Sequence, residues 1–432
     1  MTSRATPLID EAKVTSISHG QQEPEWLTQR RLDAWRAFES MPMPDPLEEE
    51  WRRTDMSGFD LEALMARTPV QVSEARELLD SDGYSGRIAQ AGGDYVVAYA
   101  DEDELPEGVI FCDLHTAATE HGDLVKKYLN TVVGTAEWKL EALRTAAWQG
   151  GGFLYIPRGV DVELPVKFVV SSLGAVLLPH LLVIAEENSG VSIVQEFVSS
   201  TGAANSLVSA AVEIVAAPNA RVKFVELQRW GDETQAFSTI RARLDNGATL
   251  DAGLVGLGGK MVKTKLEALL VGEGASANLV GLTLGGEKQH FNYATLQDHV
   301  APHTTSDLLF KAALDDESSE VWYGTARVGK GAQQAEANQT SRNLLLSKHA
   351  KAAPIPVLEI ETYDVSKCSH GASAGPLDEE QRFYLESRGI EPATAERLLV
   401  DAFFQEVVDK LPVAEIRARV TELLSAKLGE VS

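Results

Sequence analysis

Asn219-Ala220-Arg221-Val222-Lys223-Phe224-Val225-Glu226 reads as a small turn followed by a strand. Val222, Phe224 and Glu226 alternate with Lys223 and Val225, the period of two by which an extended chain sorts residues onto two faces. The same pattern recurs at Ser189-Gly190-Val191, Gly247-Ala248-Thr249, Gly274-Ala275-Ser276 and Gly331-Ala332-Gln333. Counted from Val191 and then from the alanine of each turn, the steps are 29, 28, 27 and 57 residues. The last is close to two periods and places an unmarked turn near His303. A period near 28 holds two strands and two turns and leaves no room for a crossover helix. A doubly wound α/β sheet is therefore disfavoured. A parallel β-helix is expected, with rungs that pair with their neighbours so that only the ends stay open.

Outward from the repeats the texture changes. Residues 1–92 read as an N-terminal helical region. It has an amphipathic helix over 26–37 (Trp26, Leu27, Leu32, Trp35), a linker Met41-Pro42-Met43-Pro44-Asp45-Pro46 that cannot continue a helix, and a helix over 70–79. Strands are expected over 95–99 and 109–112, and a mostly helical insertion over 116–148. The β-helix core is placed at 93–375. Residues 376–432 read as a C-terminal helical domain. One helix spans 378–388 and closes at Gly389, and Pro392 opens the next. Leu398, Leu399, Ala402, Phe403 and Val407 are expected to form one apolar face, and Val413, Ile416, Val420, Leu423, Leu424 and Leu428 another.

The chain has 432 residues, 44% of them hydrophobic, and a formal net charge of −25. Such a surface repels phosphate backbones and anionic lipids, so neither nucleic acid nor membrane is an expected partner. Arg4, Asp10, Glu11 and Lys13 interrupt the first residues and no apolar core follows, so no signal peptide is expected and a cytoplasmic location is. Two cysteines, Cys112 and Cys368, are too few for a disulfide framework or for a four-thiolate cluster cage.

The sharpest chemical feature is Asp364-Val365-Ser366-Lys367-Cys368-Ser369-His370-Gly371-Ala372. On a strand Cys368 and His370 share a face. A thiol and an imidazole so placed are half of a soft metal site, or a sulfur acceptor beside a proton carrier, or simply a packed cysteine and a hydrogen-bonded histidine. Other motifs fall short. His299 and His303 are four apart, but Pro302 breaks a helix between them and no Glu follows His299. Gly258-Gly259-Lys260-Met261 has Leu254 where a phosphate-binding loop needs its first glycine and Met261 where it needs Ser or Thr, so no nucleotide is expected on this chain. Cys112 lies in an apolar run and reads as core. Asn338-Gln339-Thr340 matches a glycosylation acceptor only in letters.

Residues 356–390 (PVLEIETYDVSKCSHGASAGPLDEEQRFYLESRGI), 332–347 (AQQAEANQTSRNLLLS), 152–160 (GFLYIPRGV) and Trp51-Arg52-Arg53-Thr54-Asp55 together resemble the SufB/SufD family of iron–sulfur cluster assembly scaffolds. The Cys368-Ser369-His370-Gly371-Ala372 lettering is similar to the SufD branch. SufB carries Glu where Ser369 and Gly371 stand here, and commonly an N-terminal cysteine group that is missing here. The resemblance implies a right-handed parallel β-helix between helical domains and a scaffold, not an enzyme. It implies a heterodimer with a SufB-like subunit and a SufC-like ATPase docked through the C-terminal helices. It also implies a transient iron–sulfur cluster shared with SufB, with His370 as a ligand and Cys368 beside it. Two other functions fit a β-helix: a carbohydrate-active enzyme such as a polysaccharide lyase, and a SufB-like homodimeric scaffold. Acidic residues recurring on one rung face would favour the first, and none are evident; the motif lettering weighs against the second.

Overall fold

The computed structural model describes residues 9–65, 83–92, 95–100, 105–172, 176–199 and 205–431. The helix expected over 70–79 lies outside them. Helices α1 (Glu11–Gly20), α2 (Glu25–Ser40) and α3 (Leu61–Met65) precede strands β1 (Gly86–Ala91), β2 (Tyr95–Ala100) and β3 (Ile110–Cys112). The expected insertion resolves into α4 (Leu114–Glu120), α5 (Gly122–Tyr128) and α6 (Lys139–Ala147). Next come β4 (Gly152–Ile156), β5 (Val166–Ser172), β6 (Val176–Leu177), β7 (His180–Ala185), β8 (Gly190–Ser199), β9 (Ser206–Ala216), β10 (Arg221–Arg229) and β11 (Thr234–Leu244). They continue as β12 (Thr249–Gly256), β13 (Met261–Leu270), β14 (Ser276–Gly285), β15 (His290–His299), β16 (Thr305–Leu314), β17 (Ser319–Val328), β18 (Ala335–Leu345), β19 (Lys351–Ile360) and β20 (Val365–Pro376). Helices α7 (Glu379–Ser387), α8 (Pro392–Lys410) and α9 (Arg417–Val431) complete the chain.

The strands form two long sheets facing one lumen. One runs β2-β1-β5-β8-β10-β12-β14-β16-β18-β20, the other β19-β17-β15-β13-β11-β9-β7-β4-β3, with β6 beside β9. Pairing is parallel except for β1–β2 and β3–β4, so the fold is the expected parallel β-helix. Its first strand, β1, already lies within residues 1–92, paired to β5.

The turns explain the period. Asn188, Asn219, Gly247, Gly274, His303 and Gln334 all adopt left-handed backbone, a conformation that Gly and Asn enter most readily. His303 therefore marks the turn with no glycine signal. Successive turns stack through their backbones: Asn219 N donates to Asn246 O (2.8 Å) and His303 N to Gln333 O (2.9 Å).

Inward positions follow from register. Val222, Leu250 and Ala277 lie in one column, Phe224, Ala252 and Leu279 in the next, and all belong to the luminal core. Many outward positions are buried too, where helices cover the sheet faces, while Lys223, Asn278 and Asp307 stay exposed. Helices α2 and α6, with Trp51, Trp138 and Trp148, pack on Leu182, Leu207 and Phe237 of the second sheet. Helices α8 and α9 pack on Val194, Val225, Val255, Leu282 and Leu309 of the first.

This corrects the apolar stripe read for the last helix pair. Helix α8 buries Ala395, Val400, Phe404, Val407 and Val408. Leu398 is 45% exposed, Ala402 is exposed and Phe403 only half-buried. The sheet selects a face rotated from the one the sequence suggests. The α9 stripe stands: Val413, Ile416, Val420, Leu424 and Leu428 are buried, with Leu423 at its margin.

Candidate functional site at the open end of the solenoid

The solenoid finishes on β19 and β20. Among the described residues β20 pairs only with β18, and β19 only with β17, so each presents a free edge. Most residues of both strands are partly or fully exposed.

Register fixes where the sequence-predicted pair sits. Cys368 is the Cα partner of Ala337, and His370 of Gln339. Ala337 follows Ser306, Ala277, Leu250 and Val222 in one inward column; Gln339 follows Leu308, Leu279, Ala252 and Phe224 in the next. Cys368 and His370 therefore continue two adjacent luminal columns on the last rung. The structure brings them to one face, as the period of two requires. His370 is exposed. Cys368 is half-buried against Val328, Ala332 and Ala335, and burial pushes its thiol pKa up. That disfavours the thiolate, the form in which a cysteine binds metal. Outside the lumen, Ser369 Oγ donates to Asn338 Oδ1 (2.7 Å) and Asn338 Nδ2 to Asp307 Oδ1 (2.7 Å). This ladder fixes the strand that carries the pair.

Beneath the pair the lumen is polar. Gln339, directly under His370, turns its amide NH2 toward Gly324 O (3.2 Å) and accepts from Ala326 N (3.1 Å). Gln297 Nε2 donates to Ser306 Oγ (2.7 Å). His299 contacts Thr304 Oγ1 (2.8 Å) and Ser306 Oγ (2.7 Å) through its two ring nitrogens. Burial lowers its pKa to about 4, so it is neutral. His299 is thus a satisfied luminal side chain, and His303 sits in a turn; the two do not form a metal pair. Deeper in, Glu226 and Glu320 also face the lumen, fully buried. Desolvation pushes Glu226 up to about 8 and Glu320 to about 7. Sequence reading missed these groups as a set. Their signal was parity, since each occupies a position in phase with the apolar core. Cys112 is partly buried on the N-terminal cluster, and burial moves its thiol up to about 12. Gly259, in the failed phosphate-loop match, has φ +98 at a corner, and a side chain on Gly258 would strike the Trp230 backbone.

Among the described residues no group of three or more His, Cys, Asp or Glu is arranged to hold a metal ion. Cys368 and His370 supply two donors, fewer than any iron–sulfur cluster needs. No described helix is long and apolar enough to cross a membrane. Past β20, Phe383 is 71% and Tyr384 57% exposed on α7, and Leu398 is exposed on α8.

Comparison with known proteins agrees with this architecture. Residues 168–403 match the family model "SUF system FeS cluster assembly, SufBD core domain" and residues 11–168 the "SufBD protein N-terminal region". The chain is 30% identical to the iron–sulfur cluster assembly protein SufD of Bacillus subtilis, over 97% of this chain and 98% of that one. It is 27% identical to an iron–sulfur cluster assembly SufBD family protein of Staphylococcus saprophyticus and 28% to one of Staphylococcus aureus, each over 94% of this chain and 90% of the other. With both halves of the family matched end to end and its solenoid in place, the chain belongs to the SufB/SufD family of iron–sulfur cluster assembly proteins.

Proposed function

We propose that this chain is the SufD-type partner in a two-solenoid scaffold. It pairs with a SufB-type chain through the open end, and a nascent iron–sulfur cluster is held at the junction with His370 as one ligand and Cys368 beside it. The observation that carries this reading is the placement of both side chains on the last inward positions of a strand with a free edge. A strand added to that edge lies about 4.8 Å away in register. Its inward side chains then stand directly next to His370 and Cys368. Two donors are too few alone but suffice as one half of a shared site. A neutral imidazole ligates iron without adding charge. The cluster is cargo in this reading, not a resident cofactor, and the chain itself binds no nucleotide.

The exposed Phe383, Tyr384 and Leu398 support a docking face for a SufC-type ATPase on α7 and α8. Helix α7 buries none of its residues, so its apolar side chains are free for a partner. The cytoplasm fits this role.

The test is His370→Ala in the co-expressed three-subunit complex. Complex formation should be retained, because His370 is exposed and carries no packing. Cluster content, read as visible absorption and as iron and sulfide per complex, should fall at least tenfold. Normal cluster content would remove His370 from the site. Cys368→Ala should have a smaller effect, since that side chain is half-buried against Val328, Ala332 and Ala335 where His370 is exposed.

A further inference from the structure

The two free edges of the open end are not equivalent. In a parallel ladder each residue turns its N–H and C=O together to one side, and neighbours alternate. Lys351 N donates to Ser318 O (3.1 Å) and Glu361 N to Val328 O (2.8 Å). Odd-numbered residues of β19 therefore point at β17, and Ala352, Pro354, Pro356, Leu358 and Ile360 point at the free edge. Two of these five positions are prolines and have no N–H. In the other sheet Glu336 N donates to Thr304 O (2.9 Å). Even-numbered residues of β18 thus face β16, and the register turns Cys368, His370, Ala372 and Ala374 of β20 toward the free edge. Each of these four has its N–H. The β20 edge keeps every donor from Cys368 to Ala374 and lacks one only at Pro376, its last position; the β19 edge is gapped at its centre.

We infer that Pro354 and Pro356 make this end a poor match for a second copy of the chain, and that it is built to receive a non-identical solenoid whose strand supplies the missing donors. When two copies meet across β19, each brings only three donors, from Ala352, Leu358 and Ile360, and prolines face the partner backbone from both sides. A partner strand without proline brings a donor at every position and meets the gap from one side only. Edge prolines are a known means of blocking unwanted pairing. The β20 edge, unbroken from Cys368 to Ala374, is then the edge that registers the partner. This inference rests on the pairing half of the proposed function, not on its chemistry.

Positions 354, 356 and 372 all turn their backbone groups to the free edge, so substitutions there leave the ladder intact, which a thermal melt checks. The first measurement is self-association of the full chain by sedimentation velocity over a concentration series. The double variant Pro354→Ala, Pro356→Ala should dimerise at least tenfold more tightly than wild type. An unchanged constant, or a wild type that is already a tight homodimer, overturns the inference. The second is co-purification with a co-expressed SufB-type chain. Ala372→Pro, which removes a β20 donor, should weaken that complex at least tenfold, while the double proline variant should stay within threefold of wild type. Unaffected binding by Ala372→Pro overturns the role given to β20. If the wild-type chain captures no SufB-type partner at all, the proposed pairing fails, and the self-association arm still decides the inference.

Discussion

Glu226 shows how one residue read as part of an alternation acquires a thermodynamic role. It occupies an inward position in the middle of the first sheet, and one of its carboxylate oxygens has no partner among the described residues. Desolvation raises its pKa to about 8, whereas an unfolded glutamate titrates near 4.3. Between those values the folded state holds a proton that the unfolded state has lost. Stability from this group is thus complete below about pH 4 and declines as pH rises toward 8. Glu320, raised to about 7, adds to the same slope. Glu226→Gln should be more stable than wild type at pH 8 by up to roughly 4 kcal/mol, a gain that shrinks toward zero at pH 5. Urea unfolding at the two pH values measures it; a difference independent of pH would show that Glu226 ionises freely. Glu23 acts in the opposite direction. Burial would raise its pKa, but bonds from His115 and Arg31 outweigh that and hold it down to about 2. Its contribution is present above about pH 4.5 and lost as pH falls toward 2. The acid limb should therefore persist in Glu226→Gln.

At the scale of elements, the C-terminal helices cover the first sheet and, in the proposed function, also receive a partner. Helix α8 places Phe404 on the outer face of the first sheet, fully buried among Val407, Val408 and Leu411. Lys311 of β16 anchors the helix by donating to Phe403 O (2.7 Å) and pairing with Glu406 (2.7 Å). Phe404→Ala should cost about 3–5 kcal/mol, read as a lower unfolding midpoint in urea. Away from that contact, Phe383 and Tyr384 of α7 and Leu398 of α8 stay exposed. A triple alanine substitution there should leave the melting temperature within a few degrees and abolish capture of the SufC-type ATPase by pull-down. Full capture by the triple variant would move the docking face elsewhere. Deleting residues 378–432 is a poor test of docking, because it bares Val194, Val225, Val255, Leu282 and Leu309 to water and should cause aggregation.

Across the whole molecule, the N-terminal region is joined to the second sheet by charge as well as by aromatic packing. Glu213 of β9 is fully buried. It accepts from the backbone N–H of Asn130 (2.7 Å), Val132 (3.0 Å) and Val133 (3.1 Å), and it contacts His180 Nε2 (2.7 Å). Arg144 of α6 reaches the other ring nitrogen of His180 (2.9 Å). Removing one member of such a buried network strands the rest, at a cost of about 3–5 kcal/mol. Glu213→Ala should accordingly unfold at lower urea concentration and expose the region following α5 to limited proteolysis. An unchanged midpoint and digestion pattern would mean that the apolar cluster alone holds the joint.

The sequence by itself determined the solenoid. Its period is set by local chemistry, since Asn and Gly enter the left-handed turn cheaply and β-branched residues alternate between turns, and both signals are written residue by residue. It also determined that Cys368 and His370 share a face, because parity along a strand needs no tertiary information. Only the tertiary structure decided which rung they occupy, that this rung is the last, and that its edge is open, because those facts depend on where stacking stops. The same holds for the face α8 buries and for the polar lumen of Glu226, Gln297, His299 and Gln339. An amphipathic helix offers several overlapping stripes, and a polar residue in phase with the core reads like any other. The sheet behind the helix and the rungs above and below the side chain make the choice, through contacts between residues about 28 or more positions apart.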